Sequence, residues 1–355
     1  MNYYMPTQFY LENNCIKNHQ KELNQCGKKA LIVTGKHSSK MNGSLDDLTE
    51  SLTIPYVIFD EIEENPTLDI CEKGAEIGKK EHVDFVIGLG GGSSMDAAKA
   101  IALLIKNEQE DKTCFYQKKE LDYVDVICIP TTCGTGSEVT SKAVLMNPSE
   151  HKKGSISHDI WPKYAFVDGK YLAYASHELI ANTAIDALCH LIESHLNTKA
   201  TDLSHMISGY GLQKFKTIKD SLLTHEYNYN ELMLVSSIAG MAIAQTGTTI
   251  PHALSYDLTC FYNISHGQAC GIYIVSYLRV GIEQNDQDAK DVLKYLGFSD
   301  IDSFDEWIHK LIKKPKIEDH EFLKNSILKN EAKLRTSKIC IKSAEIHKII
   351  EESLD

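Results

Sequence analysis

Gly88-Leu-Gly-Gly-Gly-Ser-Ser-Met-Asp-Ala-Ala-Lys99 decides how this chain folds. It continues the apolar run Asp84-Phe-Val-Ile-Gly88 and leads into a stretch without helix breakers, so it reads as strand, glycine turn and helix start. Glycines let the backbone bend sharply and approach a ligand closely. The N–H groups of the helix start then face an anion along the helix dipole. Ser93 or Ser94 is expected to cap that helix and add a hydroxyl donor. The motif is no Walker loop, since no Gly-Lys-Ser/Thr follows, and Ser93 stands where the usual dinucleotide fingerprint has its last glycine. A plain connector explains three glycines less well when they join a strand to a helix.

The same alternation extends on both sides. Ala30-Leu-Ile-Val-Thr-Gly35, Tyr56-Val-Ile-Phe59, Val124-Asp-Val-Ile-Cys-Ile129 and Tyr164-Ala-Phe-Val167 are short, largely apolar runs of strand length. Helices are expected from Leu45, with Ser44 as N-cap, and from Thr67 to Lys80. Strand and helix alternating at this interval imply a parallel sheet with right-handed crossovers. From about Tyr171 the period is helical: 179–196, 202–223, 231–245, 267–282, 288–296, 303–312 and 343–354, with Ser176 as a cap. The expected architecture is an α/β N-terminal dinucleotide-binding domain with a parallel sheet over residues 1–170. An all-α C-terminal metal-binding domain follows over 171–355.

Composition narrows the function. The 355 residues are too many for one small core, and 43% hydrophobic with 24% charged residues fits an ordinary globular protein. A formal net charge of −12 disfavours nucleic acid or an anionic membrane as partner. No apolar run approaches bilayer length, and Met1-Asn-Tyr-Tyr-Met-Pro6 lacks a signal-peptide pattern. The ten cysteines include no Cys-x-x-Cys pair and read as reduced thiols, so a cytoplasmic protein is expected. Cys133 and Cys189 read as small buried hydrophobes.

Two further loops suit a nucleotide. Pro130-Thr-Thr-Cys-Gly-Thr-Gly-Ser-Glu138 follows the fourth strand and carries more hydroxyls than a connector needs. Ligands of open α/β sheets bind beyond the carboxyl ends of strands, where this loop and the glycine turn would converge. The first strand ends in Gly35-Lys-His-Ser-Ser-Lys40, with two lysines and no acid where a carboxylate usually holds a ribose hydroxyl. Lys36, Ser38, Ser39 and Lys40 would suit a 2′-phosphate, favouring NADP over NAD. A solvated surface loop has the same composition.

In the helical half, Asp186 and His190 lie four apart in Ala184-Ile-Asp-Ala-Leu-Cys-His-Leu-Ile-Glu193, on one helical face. His252 opens a second helix after Pro251, and His266 precedes Gly267 at the start of a third. One carboxylate and three imidazoles suit Fe(II) or Zn(II), not magnesium or calcium. A solvated stripe of Asp186, His190 and Glu193 with two unrelated histidines is the bland alternative.

The Gly90-Gly-Gly-Ser93 turn with Asp96 and Lys99, the Pro130–Glu138 loop, Asp186-Ala-Leu-Cys-His190 and the pair His252 and His266 together resemble the iron-containing (group III) alcohol dehydrogenases. Met5-Pro-Thr, the segment Ala30–Leu48 and Ala244-Gln-Thr-Gly-Thr-Thr249 look most like the propanediol dehydrogenase-like branch. The resemblance implies a dinucleotide domain and a helical metal domain with a deep cleft between them. It implies Asp186, His190, His252 and His266 as metal ligands. Gly90, Gly91, Gly92 and Ser93 would hold the pyrophosphate, Thr131, Thr132 and Ser137 with Asn65 and Pro66 would line the cofactor, and Gly35, Ser38 and Ser39 would surround the adenosine ribose. Lys152 or Lys153 matches a family lysine near the nicotinamide. Such enzymes often pair, so the resemblance leaves room for a homodimer.

Three positions depart from the pattern. Tyr256 stands where many members carry a second histidine. A phenol does not titrate near neutrality, so its catalytic part would be as a hydrogen-bond partner. Gly35 replaces the aspartate common in NAD-preferring members, and Cys133 replaces a usual alanine or serine. The expected activity is reversible, metal-dependent oxidation of a small primary alcohol or diol. The alternatives are a zinc-dependent polyol dehydrogenase, a dehydroquinate-synthase-like lyase, for which Arg279 and Arg335 are the only arginines of the helical half, and a non-catalytic nucleotide or metal sensor.

Overall fold

The structure is a computed structural model and describes residues 3–150, 152–317 and 320–354. The chain forms two compact units. One is Met5–Ala175; the other begins at Ser176 and takes in Tyr4, whose N–H donates to Gln245 Oε1.

The first unit is built on a six-stranded sheet in the order β1-β8-β5-β4-β2-β3, every neighbouring pair parallel. Its strands are β1 (Gln8–Leu11), β2 (Ala30–Gly35), β3 (Tyr56–Ile62), β4 (Phe85–Gly90), β5 (Asp125–Pro130) and β8 (Tyr164–Val167). Side chains alternate along each strand, so the sheet carries a core on either face. Leu31, Val33, Val86, Val126 and Cys128 pack with the Gly92–Lys106 helix. Ala30, Ile32, Phe85, Ile87, Leu89, Ile127 and Ile129 pack with Ile16, Leu23 and Leu48. Covering both faces explains why these strands read as continuous apolar runs. Each fully buried Val, Leu or Ile contributes roughly 1.5–3 kcal/mol.

Three strands were not expected from sequence. β1 is short and half-exposed, and it adds to the edge of the sheet by pairing with β8. β6 (Val144–Asn147) and β7 (Lys152–Ser155) form a separate antiparallel pair. Two capping expectations are corrected. Gly43, at φ 76°, precedes the Ser44–Ser51 helix, and Asn42 Oδ1 accepts from the Ser44 N–H, so Ser44 is the first helical residue and not its cap. Gly91 occupies the cap position of the Gly92–Lys106 helix, which places Ser93 and Ser94 inside its first turn.

The second unit is helical: His177–His195, Asp202–Ile218, Tyr229–Thr246, Ile250–Tyr262, His266–Glu283, Gln287–Leu296, Ile301–Leu311, His320–Leu328 and Ser343–Leu354 are its longer helices. The expected 202–223 helix stops at Ile218, where Ser221 Oγ donates back to the Ile218 carbonyl at 2.6 Å and competes with the helical ladder. Among the described residues no single helix is long and apolar enough to cross a membrane.

Candidate active site

The glycine turn is a close backbone crossing. Gly90 adopts φ 143°, a conformation other residues rarely take. A Cβ on Gly92 would lie 2.6 Å from Thr135 Cγ2, so the turn and the Thr131–Ser137 loop meet with no room for a side chain. The Thr131 N–H donates to the Gly90 carbonyl at 2.9 Å and fastens the two loops. Gly90, Gly91, Gly92, Ser93, Thr131 and Thr132 are thereby brought together. Asn65 joins them, its N–H donating to Ser93 Oγ at 3.3 Å. Pro66 is buried next to it, and its carbonyl accepts from the Met146 N–H.

Ser137 has a different job. Its hydroxyl donates to Asp96 Oδ1 at 2.6 Å and accepts from Lys99 Nζ at 2.7 Å. Lys99 is wholly buried and also donates to the carbonyls of Ser137 and Lys142, at 2.8 and 2.9 Å. Burial raises the pKa of Asp96 against the pull of Lys99 and the Ser137 hydroxyl. This network, carried by Asp96 and Lys99 of the quoted motif, locks the second loop onto the helix from below.

The loop after β2 divides in the same way. Ser38 is exposed, whereas Ser39 is fully buried with its hydroxyl accepting from Thr34 Oγ1 at 2.9 Å. A Cβ on Gly35 would come within 3.3 Å of the Ile62 carbonyl. Lys36 is exposed, but Lys40 Nζ pairs with Asp60 Oδ2 of β3 at 2.6 Å. An acid distant in sequence therefore supplies part of the charge that the loop lacks. Lys152 is 76% exposed on β7 and pairs with Glu150, apart from the glycine turn's contacts. Lys153 is the one whose charge acts on Asp96.

In the helical unit three helices bring four side chains to one point. Asp186 and His190 share the His177–His195 helix, which Ser176 caps by accepting from the Leu179 N–H. His252 sits in the first turn of the Ile250–Tyr262 helix, after Pro251, and His266 begins the His266–Glu283 helix. Gly267 makes the approach feasible: a Cβ there would lie 1.9 Å from the Asn182 carbonyl oxygen. Asp186 Oδ1 lies 3.8 Å from His190 Nε2, 3.4 Å from His252 Nε2 and 3.8 Å from His266 Nε2. Two donors about 2.0–2.3 Å from one tetrahedral ion stand roughly 3.3–3.8 Å apart, so these separations fit a shared cation.

The local chemistry agrees. Asp186 Oδ1 and His252 Nε2 are buried without a hydrogen-bond partner. Such orphaned atoms cost about 1–3 kcal/mol each, a cost that a divalent ion removes. Burial opposes the Asp186 charge, but His190, His266 and His252 outweigh it and hold the carboxyl well below its ordinary range. Glu193, wholly buried, bonds His252 Nδ1 with one oxygen and accepts from the Thr249 N–H at 2.6 Å with the other. That contact directs Nε2 toward Asp186 and fixes the ring's orientation. Sequence offered Glu193 no role beyond the alternative of a solvated stripe. Its place one turn beyond His190, in an unbroken apolar run, was the signal for an orienting carboxylate. Tyr256 stacks on His266 with ring centroids 5.9 Å apart, and burial pushes its phenol up to about 12.

A second cluster, His195, His205 and Asp288, has its carboxylate engaged by Lys338 Nζ at 2.7 Å. The two arginines are each paired with acids, Arg279 with Asp302 and Arg335 with Glu331.

A glycine turn between strand and helix and an Asp-His cluster in one chain are what a metal-dependent oxidoreductase that uses a dinucleotide requires. Comparison with known proteins agrees. Residues 6–169 match the model for iron-containing alcohol dehydrogenase, and residues 180–332 match that for the C-terminal part of the Fe-containing alcohol dehydrogenase family. An iron-containing alcohol dehydrogenase from Thermotoga maritima is 36% identical, with a TM-score of 0.92 and 99% of each chain covered. Lactaldehyde reductase of Escherichia coli K12 is 27% identical over 76% of this chain and 72% of its own. The 1-propanol dehydrogenase of Citrobacter freundii is 30% identical over 68% of this chain and 62% of its own. The chain belongs to the iron-containing alcohol dehydrogenase family. It is an NAD(P)-dependent oxidoreductase of alcohols, and the lyase and sensor alternatives fall away.

Proposed function

We propose that this enzyme interconverts a small primary alcohol or diol and its aldehyde, with NADP preferred over NAD and Fe(II) as the resident metal. The observation that carries the reading is the convergence of Asp186, His190, His252 and His266 on two unsatisfied buried atoms. Relatives named for lactaldehyde and 1-propanol support substrates of about that size.

When bound, the metal supplies a positive charge that polarises the alcohol or carbonyl oxygen, and the dinucleotide carries the hydride. The chain's own residues prepare that chemistry. Asp186 stays ionised, and Glu193 keeps the His252 Nδ1 proton so that Nε2 is free to ligate. Tyr256 remains a phenol at neutral pH and serves by hydrogen bonding, not as a titrating relay. Gly90, Gly91, Gly92 and Ser93 would hold the pyrophosphate through backbone N–H groups. Exposed Lys36 and Ser38 support a 2′-phosphate. Of the two β7 lysines, Lys153 is the one that would serve the cofactor, since its charge reaches Asp96 while Lys152 is exposed and paired with Glu150. The cytoplasm is the compartment this reading assumes.

Loading the protein with Fe(II) or Zn(II) and offering short alcohols with each dinucleotide tests the proposal. The expected result is nicotinamide reduction with the higher kcat/KM for NADP. Silence with every short alcohol and aldehyde defeats the activity, and a preference for NAD defeats only the cofactor choice. The Lys40–Asp60 pair favours NAD as the second reading, because Asp60 brings an acid beside the β2 loop. On that reading Asp60→Ala weakens NAD use, whereas on ours it spares NADP.

A further inference from the structure

Cys270 lies one helical turn beyond His266, so its thiol and the imidazole share a face of the same helix. The thiol is wholly buried, and Sγ is 3.9 Å from His266 Nε2. Gly271 holds the helix close here, since a Cβ at that position would lie 2.6 Å from Ile185 Cγ2. One ligating atom each from Asp186, His252, His266 and Cys270 lies within 4.8 Å of all the others. A sulfur at about 2.3 Å and a ring nitrogen at about 2.1 Å from one ion are roughly 3.1–3.8 Å apart across the 90–120° angles of a five-coordinate centre. The observed separation is close to that. Asp186 Oδ1 and His252 Nε2, buried without a hydrogen-bond partner, stand 3.4 Å apart in the same cluster.

We propose that Cys270 is a sulfur donor to the metal centre, a fifth ligand that tilts the site's selectivity toward zinc and cobalt. The inference rests on the Asp-His centre described above. On binding, the S–H bond breaks, the proton leaves to solvent and an S–metal bond forms, with no change of oxidation state. Thiolates favour zinc, whereas carboxylate and imidazole discriminate less among these ions. A second anion on the ion also lowers the net charge that acts on the substrate oxygen, which trades electrophilicity for retention of the metal.

Cobalt(II) alone, added to the chelator-stripped full chain, reads both parts of the inference. Its visible d–d bands report occupation of the centre, and a near-ultraviolet charge-transfer band reports sulfur. The wild-type chain should show both. Cys270→Ser should keep the visible bands, lose the charge-transfer band and bind zinc roughly tenfold or more weakly, since even an outer-shell partner is worth about 10–100-fold. Cys270→Ala gives the same spectrum if serine perturbs the packing. Visible bands without charge transfer in the wild type, or a charge-transfer band that survives both substitutions, overturns the role of Cys270. Absence of any cobalt spectrum would instead overturn the Asp-His centre.

Discussion

The glycine turn and the proposed metal centre are built in opposite ways. At the turn the chain offers backbone, and what matters is the absence of side chains: Gly92 meets Thr135 where no Cβ fits. At the centre the chain offers side chains, and the backbone's part is to bring helices close, as Gly267 does against Asn182. One site is specified by shape and the other by donor chemistry. Glycine is needed at both, but for contact with a ligand at the first and for helix packing at the second.

The contrast breaks most readily at Asp186. Asp186→Ala removes the shared anion, so metal affinity should fall by more than the roughly 10–100-fold of an outer-shell loss, and turnover with it. Dinucleotide binding, followed by nicotinamide fluorescence, should persist. Loss of both functions together would mean that the sites are not separable. Glu193→Gln is expected to cost about 10–100-fold in metal affinity, because the His252 ring loses its charged anchor. Unchanged affinity, measured by chelator competition, would reduce Glu193 to a packing role.

Gly92→Ala sharpens the other side. Crowding against Thr135 should cost about 1–3 kcal/mol and raise the dinucleotide KM while metal content stays constant. Adding Thr135→Ala removes the atoms that are met and should recover part of the loss; no recovery would place the fault elsewhere.

The last expected effect is on stability. Burial, then the nearby His205, lowers His195 from 6.5 to about 4. The unfolded chain therefore takes up this proton first, and stability falls as pH drops from about 6.5 toward 4, by at most about 3 kcal/mol. Urea midpoints against pH, compared with His195→Gln, should flatten in the variant.

How much was visible beforehand follows the same division. β2, β3, β4, β5 and β8 were legible because apolar stretches of strand length leave little choice of structure. β1 was not, since Gln8–Leu11 is short, half-exposed and held by one neighbour. β7 was hidden by polar Lys152-Lys153-Gly-Ser155, which has no alternating pattern. Asp186 and His190 could be paired from their four-residue spacing. Cys270 stands at the same spacing from His266 but looks like any apolar helix residue until the third helix is in place. Ser39 and Ser137 were read as ligand-facing because hydroxyls in loops suggest ligands. Their actual partners, Thr34 and the Asp96–Lys99 pair, belong to the scaffold.

Lys99 carries a consequence of its own. An ammonium has three protons to give, and here Ser137 Oγ and the carbonyls of Ser137 and Lys142 receive them in a place that solvent does not reach. An amine-acylating reagent finds no path to it. Labelling at this one lysine would therefore keep time with the opening of the α/β unit, while the surface lysines react at once, giving a chemical clock for local unfolding.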